Sequence, residues 1–508
     1  MAYVLGIDKG TSVIKAVIFD ATGTTVGKAD RRTEILAPRP GWHEEDPATT
    51  WAACCAVIRA ALADAGVTGG DITGVGVAAH MGGAWIVDSQ GAPVRNAICW
   101  PDERAAPELA ALEEKGVLDD AFAISGNGLM PGITLLILNW LTTHEPQTLT
   151  RASAVLCAKD YLRFRLTGEI ATDPSDVSFV PGDIRAQRHS PDLMDMLGAG
   201  AWVKHMPPIL PSEAIAGKVT AQAAEATGLA PGTPVITGLG DAVANTLGAG
   251  RSQPGEAVTI LGTSCLNAQI LAEANSEPKG LGFLFAMPRG HSLRILPNTS
   301  GTLTLDWFLD QFGGPKTPSG AWDFAQLEAQ VDAIEPGAGG VLLLPYLNPA
   351  GVLAPFYGPR ARGAFFGMSR HTTRDHLARA VYEALAYSTR DCFAAMPGAR
   401  TALTLTGGGA RSRVWAQMFA DVLNLPVDVT EQEETGALGV ALLAGIAGGL
   451  WPDLDTAQSA TSGVAASYTP DPQRAAEYEG WFALYQDIRD TYSAFSEQRA
   501  QLRQAVPA

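Results

Sequence analysis

Two glycine-threonine turns, far apart in the sequence, carry residues suited to binding phosphate. The first is Gly10-Thr11-Ser12, and the second contains Gly262 and Thr263. Each turn stands between two runs of β-forming residues, so each predicts a strand-turn-strand unit. A glycine in such a turn lets backbone N–H groups and a hydroxyl approach a phosphate closely. Two turns of this kind predict two related domains that close on one polyphosphate.

Charged side chains lie close to these turns. Asp8 precedes the first turn and could orient a hydrated Mg²⁺ ion, although Asp and Gly at this spacing also fit an ordinary hairpin. Asp241 follows Gly238-Leu239-Gly240 and could accept the proton of an attacking alcohol. The alternative for Asp241 is the N-cap of a helix. Lys15 and Lys9 could add positive charge near the phosphates, and a solvated turn position is the alternative for Lys9.

A third glycine-rich segment is typical of nucleotide contact. Gly407-Gly408-Gly409 follows a predicted strand at residues 402–405, and Ser412 stands just before a predicted helix at 414–423. Bare backbone at the start of a helix can hold a base or a ribose. The segment lacks the full dinucleotide-binding spacing, and the chain has no Gly-Lys-Ser/Thr phosphate loop. The pattern therefore disfavours a nicotinamide enzyme and a P-loop enzyme.

The elements that position these residues fall into two halves. Residues 3–20 predict strand, turn and strand, residues 24–30 a third strand, and Asp46 the cap of a helix at 47–65. The strand-turn-strand pattern restarts after Gly250, so we expect domains at 1–249 and 250–508. The last helix, 472–505, carries an aromatic stripe that predicts packing on its own domain. A homodimer seam is the alternative.

Composition narrows the class of protein. At 508 residues the chain is long enough for two domains. Its net charge of −17 disfavours a nucleic-acid partner. The six cysteines form no Cys-x-x-Cys pair, and the longest apolar stretch, 435–451, contains five glycines and predicts a buried helix ending at Gly448-Gly449. We expect a cytoplasmic protein with reduced thiols and no membrane partner.

The motifs taken together resemble the FGGY family of carbohydrate kinases. The resemblance runs from Tyr3 to about Gly449 in the expected order. It rests on Gly363-Ala364-Phe365-Phe366-Gly367-Met368 with His376-Leu377 and Ala380-Val381-Tyr382-Glu383, on Thr406-Gly407-Gly408-Gly409-Ala410-Arg411-Ser412 with Trp415 and Gln417, on Lys159-Asp160-Tyr161-Leu162, and on Ala171-Thr172-Asp173-Pro174-Ser175-Asp176. It implies an α/β fold of two actin-like (ribonuclease H-like) ATPase domains with a cleft between them. It also implies an ATP-dependent phosphotransferase acting on a small sugar or polyol.

The resemblance also implies roles for individual residues. Asp241 would be the base on the sugar hydroxyl, and Asp8 with Asp241 would hold Mg²⁺. ATP would be bound by Gly10, Thr11, Ser12, Lys15, Gly262, Thr263, Gly301, Gly408, Gly409 and Ser412. The sugar-binding positions would be His80, Met81, Gly82, Trp100, Asp102 and Asp241.

The chain departs from the family mainly at the sugar-binding positions. Xylulose kinases typically have Gln-Met-His-Gly where this chain has His80-Met81-Gly82-Gly83. His80 could compensate for the missing histidine or be a packed core histidine. Ile137 and Ala242 also replace polar residues. Segments such as Trp100-x-Asp102-x-Arg104 are closer to erythritol kinases.

We therefore expect a ketopentose such as xylulose, or a tetritol such as erythritol, as the substrate. Glycerol or ribulose, a non-metabolic actin-like ATPase switch, and a degenerate non-catalytic sugar-binding relative are the alternatives. Asp8 and Asp241, both present, argue against the degenerate relative.

Overall fold

The N-terminal half is built on a mixed seven-stranded sheet. A computed structural model of the protein describes residues 2–461 and 463–505. The order of strands in this sheet is β3-β2-β1-β5-β10-β9, with β11 paired to β5. The strands are β1 Tyr3–Lys9, β2 Val13–Phe19, β3 Thr25–Arg32, β4 Glu44–Glu45, β5 Ile72–Ala79, β6 Trp85–Val87, β7 Ala97–Ile98, β8 Ala154–Leu156, β9 Ile215–Lys218, β10 Pro234–Ile236 and β11 Leu239–Gly240.

The C-terminal half repeats this arrangement. Its seven-stranded sheet has the order β14-β15-β13-β12-β18-β19-β20. In both sheets a central strand, β1 or β12, pairs antiparallel with the next strand of the chain and parallel with a later one. The strands are β12 Glu256–Leu261, β13 Cys265–Leu271, β14 Phe283–Ala286, β15 Ser292–Asn298, β16 Leu342–Leu344, β17 Ala364–Phe366, β18 Ala402–Thr406, β19 Val427–Thr430 and β20 Val464–Tyr468. The two predicted strand-turn-strand units are therefore observed as β1-β2 and β12-β13.

Helices cover these sheets, and their ends follow local sequence signals. They are α1 Pro47–Ala65, α2 Ala106–Glu114, α3 Leu118–Ser125, α4 Thr134–His144, α5 Pro146–Arg151, α6 Ala158–Thr167, α7 Pro174–Phe179, α8 Pro191–Met196, α9 Ala221–Thr227, α10 Asp241–Gly248, α11 Leu303–Phe312, α12 Phe324–Asp332, α13 Arg374–Ala395, α14 Arg413–Leu423, α15 Thr435–Ala447, α16 Leu454–Thr461 and α17 Pro472–Ala505. Asp46 caps α1 as predicted, since its side chain accepts hydrogen bonds from the N–H groups of Ala48 and Thr49.

Helix α15 belongs to the C-terminal half of the sequence but packs on the N-terminal half of the structure. It packs against β1 and β5 of the N-terminal sheet and against α10. Glycines make this close approach possible: a Cβ atom at Gly6 would lie 2.0 Å from the carbonyl oxygen of Ala437, and one at Gly439 would lie 1.9 Å from that of Ala244. The predicted buried helix ending at Gly448 is confirmed. A division of the chain at 249/250 describes the two sheets but not α15, which completes the N-terminal layer.

The final helix, α17, packs on its own half. Tyr478, Phe482 and Tyr485 belong to the apolar core formed with α13 and α14, and the Tyr492 ring meets Phe366 edge-on. This is the packing that the aromatic stripe predicts. Phe495, the last residue of the stripe, is 56% exposed.

One described helix, α1, is long and apolar enough to cross a membrane when only length and composition are considered. Its apolar face, including Trp51, Cys54 and Ile58, is buried, and the helix packs on β2 and β3. The core helix of a globular domain passes the same test, so this feature is weak evidence for a membrane span. All six cysteines are free thiols.

Candidate active site

A cavity of about 370 Å³ lies between the two halves, beside the first glycine turn. The N-terminal half contributes Thr11, His80, Met81, Trp100, Met130, Phe179, Asp241 and Ala242 to its lining. The C-terminal half contributes Ser264, Leu266, Phe283, Phe285, Ile295, Pro297, Asn298, Thr299, Asn348 and Leu353. The structure therefore brings together part of the first turn, part of the second and four of the predicted sugar-binding residues.

Asp241 is the first residue of α10, and its side chain lines the cavity. Gly240 stands at the N-cap position, so the alternative of Asp241 as the N-cap is wrong. The Asp241 carboxylate accepts a hydrogen bond of 2.7 Å from the N–H of Ala242. Burial, and then the negative charge of Asp8, raise the pKa of Asp241 to about 7. A carboxylate with this pKa can take up and release a proton near neutral pH.

Asp8 lies near the end of β1, opposite Lys15 of β2. Its carboxylate faces the start of α15, where a Cβ atom at Gly436 would lie only 2.5 Å from Oδ2. Burial raises the pKa of Asp8 to about 6; the charge of Lys15 opposes this rise and that of Glu434 adds to it. The negative charge of Asp8 thus disfavours ionisation of the Asp241 carboxyl. Hard oxygen ligands with unbalanced negative charge fit a divalent cation such as Mg²⁺.

A cluster of three side chains with the spacing of metal ligands lies outside this cavity. Among residues 2–461 and 463–505, the ligand atoms of Cys157, Asp160 and Asp176 lie within 4.8 Å of one another. Lys159 Nζ, however, is 2.5 Å from Asp160 and 3.2 Å from Asp176. An ammonium group already occupies the position that offsets these charges, so we interpret the cluster as a buried ion-pair network.

A buried ammonium group, that of Lys9, contacts the backbone of the first turn. Lys9 Nζ donates to the Gly10 carbonyl oxygen and to Glu45 Oε1, both at 2.9 Å. Lys9 is fully buried, so the alternative of a solvated turn residue is wrong. Glu45 of β4 reaches Lys9 from 36 residues away. That Lys9 adds positive charge near the phosphates stays a prediction. Ser12 is exposed at the tip of the turn.

The second turn rests on Gly301. A Cβ atom at Gly301 would lie 2.3 Å from the Gly262 carbonyl oxygen, which accepts a hydrogen bond of 2.8 Å from the N–H of Thr302. Thr263 is exposed at the tip of the turn. Gly301 therefore supports the backbone of this turn, and any side chain there would displace it.

A larger cavity, of about 910 Å³, lies beside the glycine-rich segment. Lys15, Gly407 and Gly408 line it. Lys15 Nζ is 2.8 Å from Glu434 Oε2, so this predicted ATP ligand is ion-paired within the protein. A Cβ atom at Gly408 would have no described heavy atom within 4 Å, and its backbone is accordingly open to a ligand.

Two other residues that were predicted to contact the nucleotide make contacts within the protein. Gly409 packs on Leu261, where a Cβ atom would lie 2.5 Å from the leucine Cγ. The Ser412 hydroxyl caps α14 by accepting a hydrogen bond of 3.1 Å from the N–H of Trp415. Both residues therefore support the segment that carries Gly408, and their contact with the nucleotide stays a prediction.

Among the predicted sugar-binding residues, His80, Met81 and Trp100 line the cavity. His80 is buried, its Nε2 lies 3.6 Å from Glu45 Oε1, and neither ring nitrogen has a hydrogen-bond partner among the described residues. Burial lowers the pKa of His80, which favours the neutral ring. Trp100 Nε1 donates a hydrogen bond of 3.0 Å to Thr11 Oγ1. Trp100 therefore connects the cavity with the first turn.

Asp102 and Gly82 do not reach the cavity. The Asp102 carboxylate accepts hydrogen bonds from the N–H of His43 and from the backbone and guanidinium of Arg104. Its predicted contact with substrate is therefore corrected to an intramolecular ion pair. Gly82 has φ +74°, and a Cβ atom there would lie 2.9 Å from the Phe179 ring. The aromatic ring takes the space beside Gly82.

Three features of the site have no clear signal in the sequence. They are Glu45, which links Lys9 to His80; Gly436, which makes room for Asp8; and the aromatic wall that includes Phe179. Glu45 stands beside another acidic residue before a helix cap. In the sequence this pattern cannot be distinguished from a pair of solvated acidic residues.

Known proteins match the chain over nearly its whole length. Residues 3–248 match the family model of the FGGY carbohydrate kinase N-terminal domain, and residues 257–448 match that of the C-terminal domain. The chain is 32% identical to an erythritol kinase of Brucella abortus, covering 96% of this chain and 95% of the relative. It is 32% identical to a xylulose kinase of Escherichia coli, covering 97% and 98%.

A solved structure also matches the chain over nearly its whole length. A xylulose kinase of Rhodospirillum rubrum is 30% identical and superposes with a TM-score of 0.87, covering 97% of this chain and 100% of that one. This confirms the predicted fold of two actin-like α/β domains. The family implies ATP as the phosphoryl donor and a small sugar or polyol as the acceptor, which favours the kinase over the ATPase switch. The chain belongs to the FGGY family of carbohydrate kinases.

Proposed function

We propose that this kinase transfers the γ-phosphoryl group of ATP to a hydroxyl of a small polyol or ketose, with Asp241 as the base. The observation that carries the proposal is the Asp241 carboxylate, with a pKa of about 7, on the wall of a cavity that the first turn also lines. The names of the two relatives support erythritol and xylulose as the first substrates to test.

The reaction follows from the positions of these groups. The substrate hydroxyl gives its proton to Asp241 as its oxygen attacks the γ-phosphorus, and the bond from that phosphorus to the bridging oxygen of ADP breaks. Thr11, Thr263 and the backbone N–H groups of both turns stabilise the charge on the transferred group. Asp8 and Asp241 would hold Mg²⁺, which when bound offsets charge on the phosphates.

The nucleotide would extend from the two turns toward the glycine-rich segment. Gly10 and Ser12 would offer backbone N–H groups to the phosphates, whereas the Gly262 N–H donates to the Ser264 carbonyl oxygen and shapes the second turn. Gly408 would offer open backbone to the nucleoside. Lys15 would contribute through its charge near Asp8, since its ammonium is paired with Glu434. Closure of the two halves would exclude water that otherwise competes with the sugar hydroxyl.

The cytoplasm is the proposed compartment. ATP is available there, and the six free cysteines match its reducing conditions.

An ATP-consumption screen tests the proposal. ADP release is measured with Mg²⁺-ATP and each of erythritol, D- and L-xylulose, D- and L-ribulose and glycerol, alongside a reaction without acceptor. A kinase releases ADP in proportion to acceptor and gives a phosphorylated product by mass spectrometry. ADP release that is the same with and without every acceptor would instead support an ATPase switch.

A further inference from the structure

Two of the sequence motifs lie outside the cavity that holds Asp241. They are residues 159–162, at the start of α6, and residues 171–176, which lead into α7. The described lining of the 370 Å³ cavity includes no residue of either motif, yet Lys159, Asp173 and Ser175 are fully buried. Burial of such groups is costly unless each has a partner. Their partners therefore indicate what the two motifs do.

Ser175 connects the second motif with the segment 237–240, which leads into Asp241. Its hydroxyl oxygen accepts a hydrogen bond of 2.8 Å from the N–H of Gly240, 65 residues away in the sequence. Gly240 is the N-cap residue of α10, and Asp241 is the first residue of that helix. Ser175 thus contacts the backbone immediately before the Asp241 carboxylate.

Asp173 sets the direction of the Ser175 hydroxyl. Asp173 Oδ2 accepts hydrogen bonds from this hydroxyl at 2.6 Å and from the Ser175 N–H at 3.0 Å. Because the one hydroxyl proton of Ser175 is donated to Asp173, a lone pair of its oxygen is left for the Gly240 N–H. Lys159 Nζ lies 3.2 Å from Asp173 Oδ1 and balances its charge. These groups form a buried chain of contacts that ends beside Asp241.

The same buried groups contact the rest of the segment 237–240. Lys159 Nζ donates to the Thr237 carbonyl oxygen at 3.5 Å. The backbone at Gly238 has φ +91°, and a Cβ atom there would lie 2.9 Å from Lys159 Cδ. The two motifs therefore meet the backbone at both ends of this short segment.

The Asp241 side chain depends on that backbone for its position. Among the described residues, its one hydrogen bond comes from the N–H of Ala242, the next residue of the same helix. A bond to the adjacent residue moves with the helix and cannot fix the carboxylate relative to the rest of the cavity. The contact between Ser175 and Gly240 links the start of α10 to a distant part of the fold.

We propose that Ser175 is a positioning residue for phosphoryl transfer, which acts through Gly240 to keep the Asp241 carboxylate aligned with the acceptor hydroxyl. This inference rests on the proposed function of Asp241 as the base. A base must lie within hydrogen-bond reach of the proton that it takes, and a displacement of about 1 Å can lower a rate about a hundredfold.

Ser175→Ala and Ser212→Ala form a matched pair of variants. Both remove a buried hydroxyl that donates to Asp173 Oδ2, and Ser175 alone of the two also accepts from the Gly240 N–H. Kinetics are measured with the full chain, Mg²⁺-ATP and the fastest acceptor among erythritol, xylulose, ribulose and glycerol. We expect kcat to fall about tenfold in Ser175→Ala and less than twofold in Ser212→Ala, with the KM for ATP within about twofold of wild type in both. Equal falls in kcat, or an unchanged kcat in Ser175→Ala, would overturn the inference.

Asp241→Asn tests whether Ser175 acts through the base. In this background the carboxylate that Ser175 aligns is gone, so adding Ser175→Ala should lower the remaining kcat, measured in single turnovers with excess enzyme, by less than about twofold. A further tenfold fall would show that Ser175 acts independently of Asp241 and would overturn the inference alone. A wild-type kcat in Asp241→Asn would overturn the assignment of the base as well.

Ser175→Cys keeps the inference testable if the alanine variant does not fold. The thiol fills the place of the hydroxyl but is a weak acceptor, so we expect kcat to fall about threefold. Hydrogen exchange followed by mass spectrometry should show faster exchange in a peptide spanning residues 237–241 in Ser175→Cys than in Ser212→Ala, because the Gly240 N–H has lost its strong acceptor. A wild-type kcat in Ser175→Cys, or equal exchange in the two variants, would overturn the inference.

Discussion

The two ends of the cleft are built in different ways. At the end that we propose binds phosphate, which comprises Asp8 and the turns at 10–12 and 262–264, the shape depends on backbone and on glycines that permit close contact. At the end that we propose binds the sugar, which is the 370 Å³ cavity, the shape depends on side chains from many distant segments. We call these the phosphate end and the sugar end. The comparison teaches that close backbone contacts at glycines shape the first end, whereas the identity of individual side chains shapes the second.

Glycines illustrate the difference. Gly301 and Gly436 serve the phosphate end, where a Cβ atom would strike the second turn or the Asp8 carboxylate. Gly82 serves the sugar end, where a Cβ atom would strike the exchangeable ring of Phe179. Substitution at the first two should therefore disturb the common chemistry, and substitution at the third should alter acceptor choice.

The largest effect is expected at the point where the two ends meet. Asp241→Asn removes the base while keeping the size of the side chain, and we expect kcat to fall by about a thousandfold. Binding of an ATP analogue in the absence of Mg²⁺, measured by fluorescence titration, should change by less than about threefold, since the two turns and the glycine-rich segment would contact the nucleotide itself. Turnover within about tenfold of the wild type would contradict the assignment of Asp241 as the base.

A substitution confined to the phosphate end should have the next largest effect. Gly436→Ala puts a methyl group 2.5 Å from Asp8 Oδ2, so the carboxylate must move. We expect kcat to fall by about thirtyfold and the Mg²⁺ concentration for half-maximal rate to rise, with the sugar KM nearly unchanged.

Gly480→Ala is the matched control for this change. A Cβ atom at Gly480, on the exposed side of α17, has no described heavy atom within 4 Å. It should leave kinetics unaltered and slightly stabilise the helix. Wild-type Mg²⁺ dependence in Gly436→Ala would show that Asp8 does not hold the ion.

A smaller effect is expected where Trp100 joins the two ends. Trp100→Phe keeps an aromatic ring on the cavity but removes the hydrogen bond to Thr11 Oγ1. We expect kcat to fall by about fivefold with the sugar KM within about twofold of wild type, because one hydrogen bond that positions the turn is lost. Trp100→Ala should in addition raise the sugar KM. Steady-state kinetics that show equal sugar KM changes and unaltered kcat in both variants would assign Trp100 to the sugar end alone.

The sequence predicts the secondary-structure elements around the site far better than the contacts of individual side chains. Strands β1, β2, β12 and β13, the cap at Asp46 and the end of α15 follow from local patterns, because turns, caps and apolar runs act within a few residues. Lys9 was not predictable in the same way. Its burial depends on Glu45, which belongs to a separate strand, and nothing beside Lys9 indicates that contact.

Asp102 and Ser412 show a second limit. Each stands in a motif that the family resemblance associates with ligands, and each is a polar residue suited to that role. In the folded chain the Asp102 carboxylate is taken up by Arg104, and the Ser412 hydroxyl oxygen accepts a hydrogen bond from α14. Residue type and spacing place such residues near a site, whereas competition with neighbouring donors decides whether they face the ligand.

The smallest effect is expected in the free energy of unfolding of the protein without nucleotide and Mg²⁺. It reports the charge of Asp241 alone. The pKa of Asp241 is about 7 in the folded chain and 3.8 for an ordinary aspartate, so between these pH values the folded state retains a proton that the unfolded state has lost. Stability therefore falls as pH rises from about 4 to about 7. Asp241→Asn cannot ionise, and we expect it to be more stable than wild type by about 1 kcal/mol at pH 8, less than the roughly 4 kcal/mol of the full shift because the side chain is partly exposed to solvent. The difference should be much smaller at pH 4. Urea unfolding at the two pH values measures this difference in the free energy of unfolding.

A variant that is less stable than wild type at pH 8 would show that the Asp241 charge is compensated within the fold, and that the phosphate end does not need a cation to balance it.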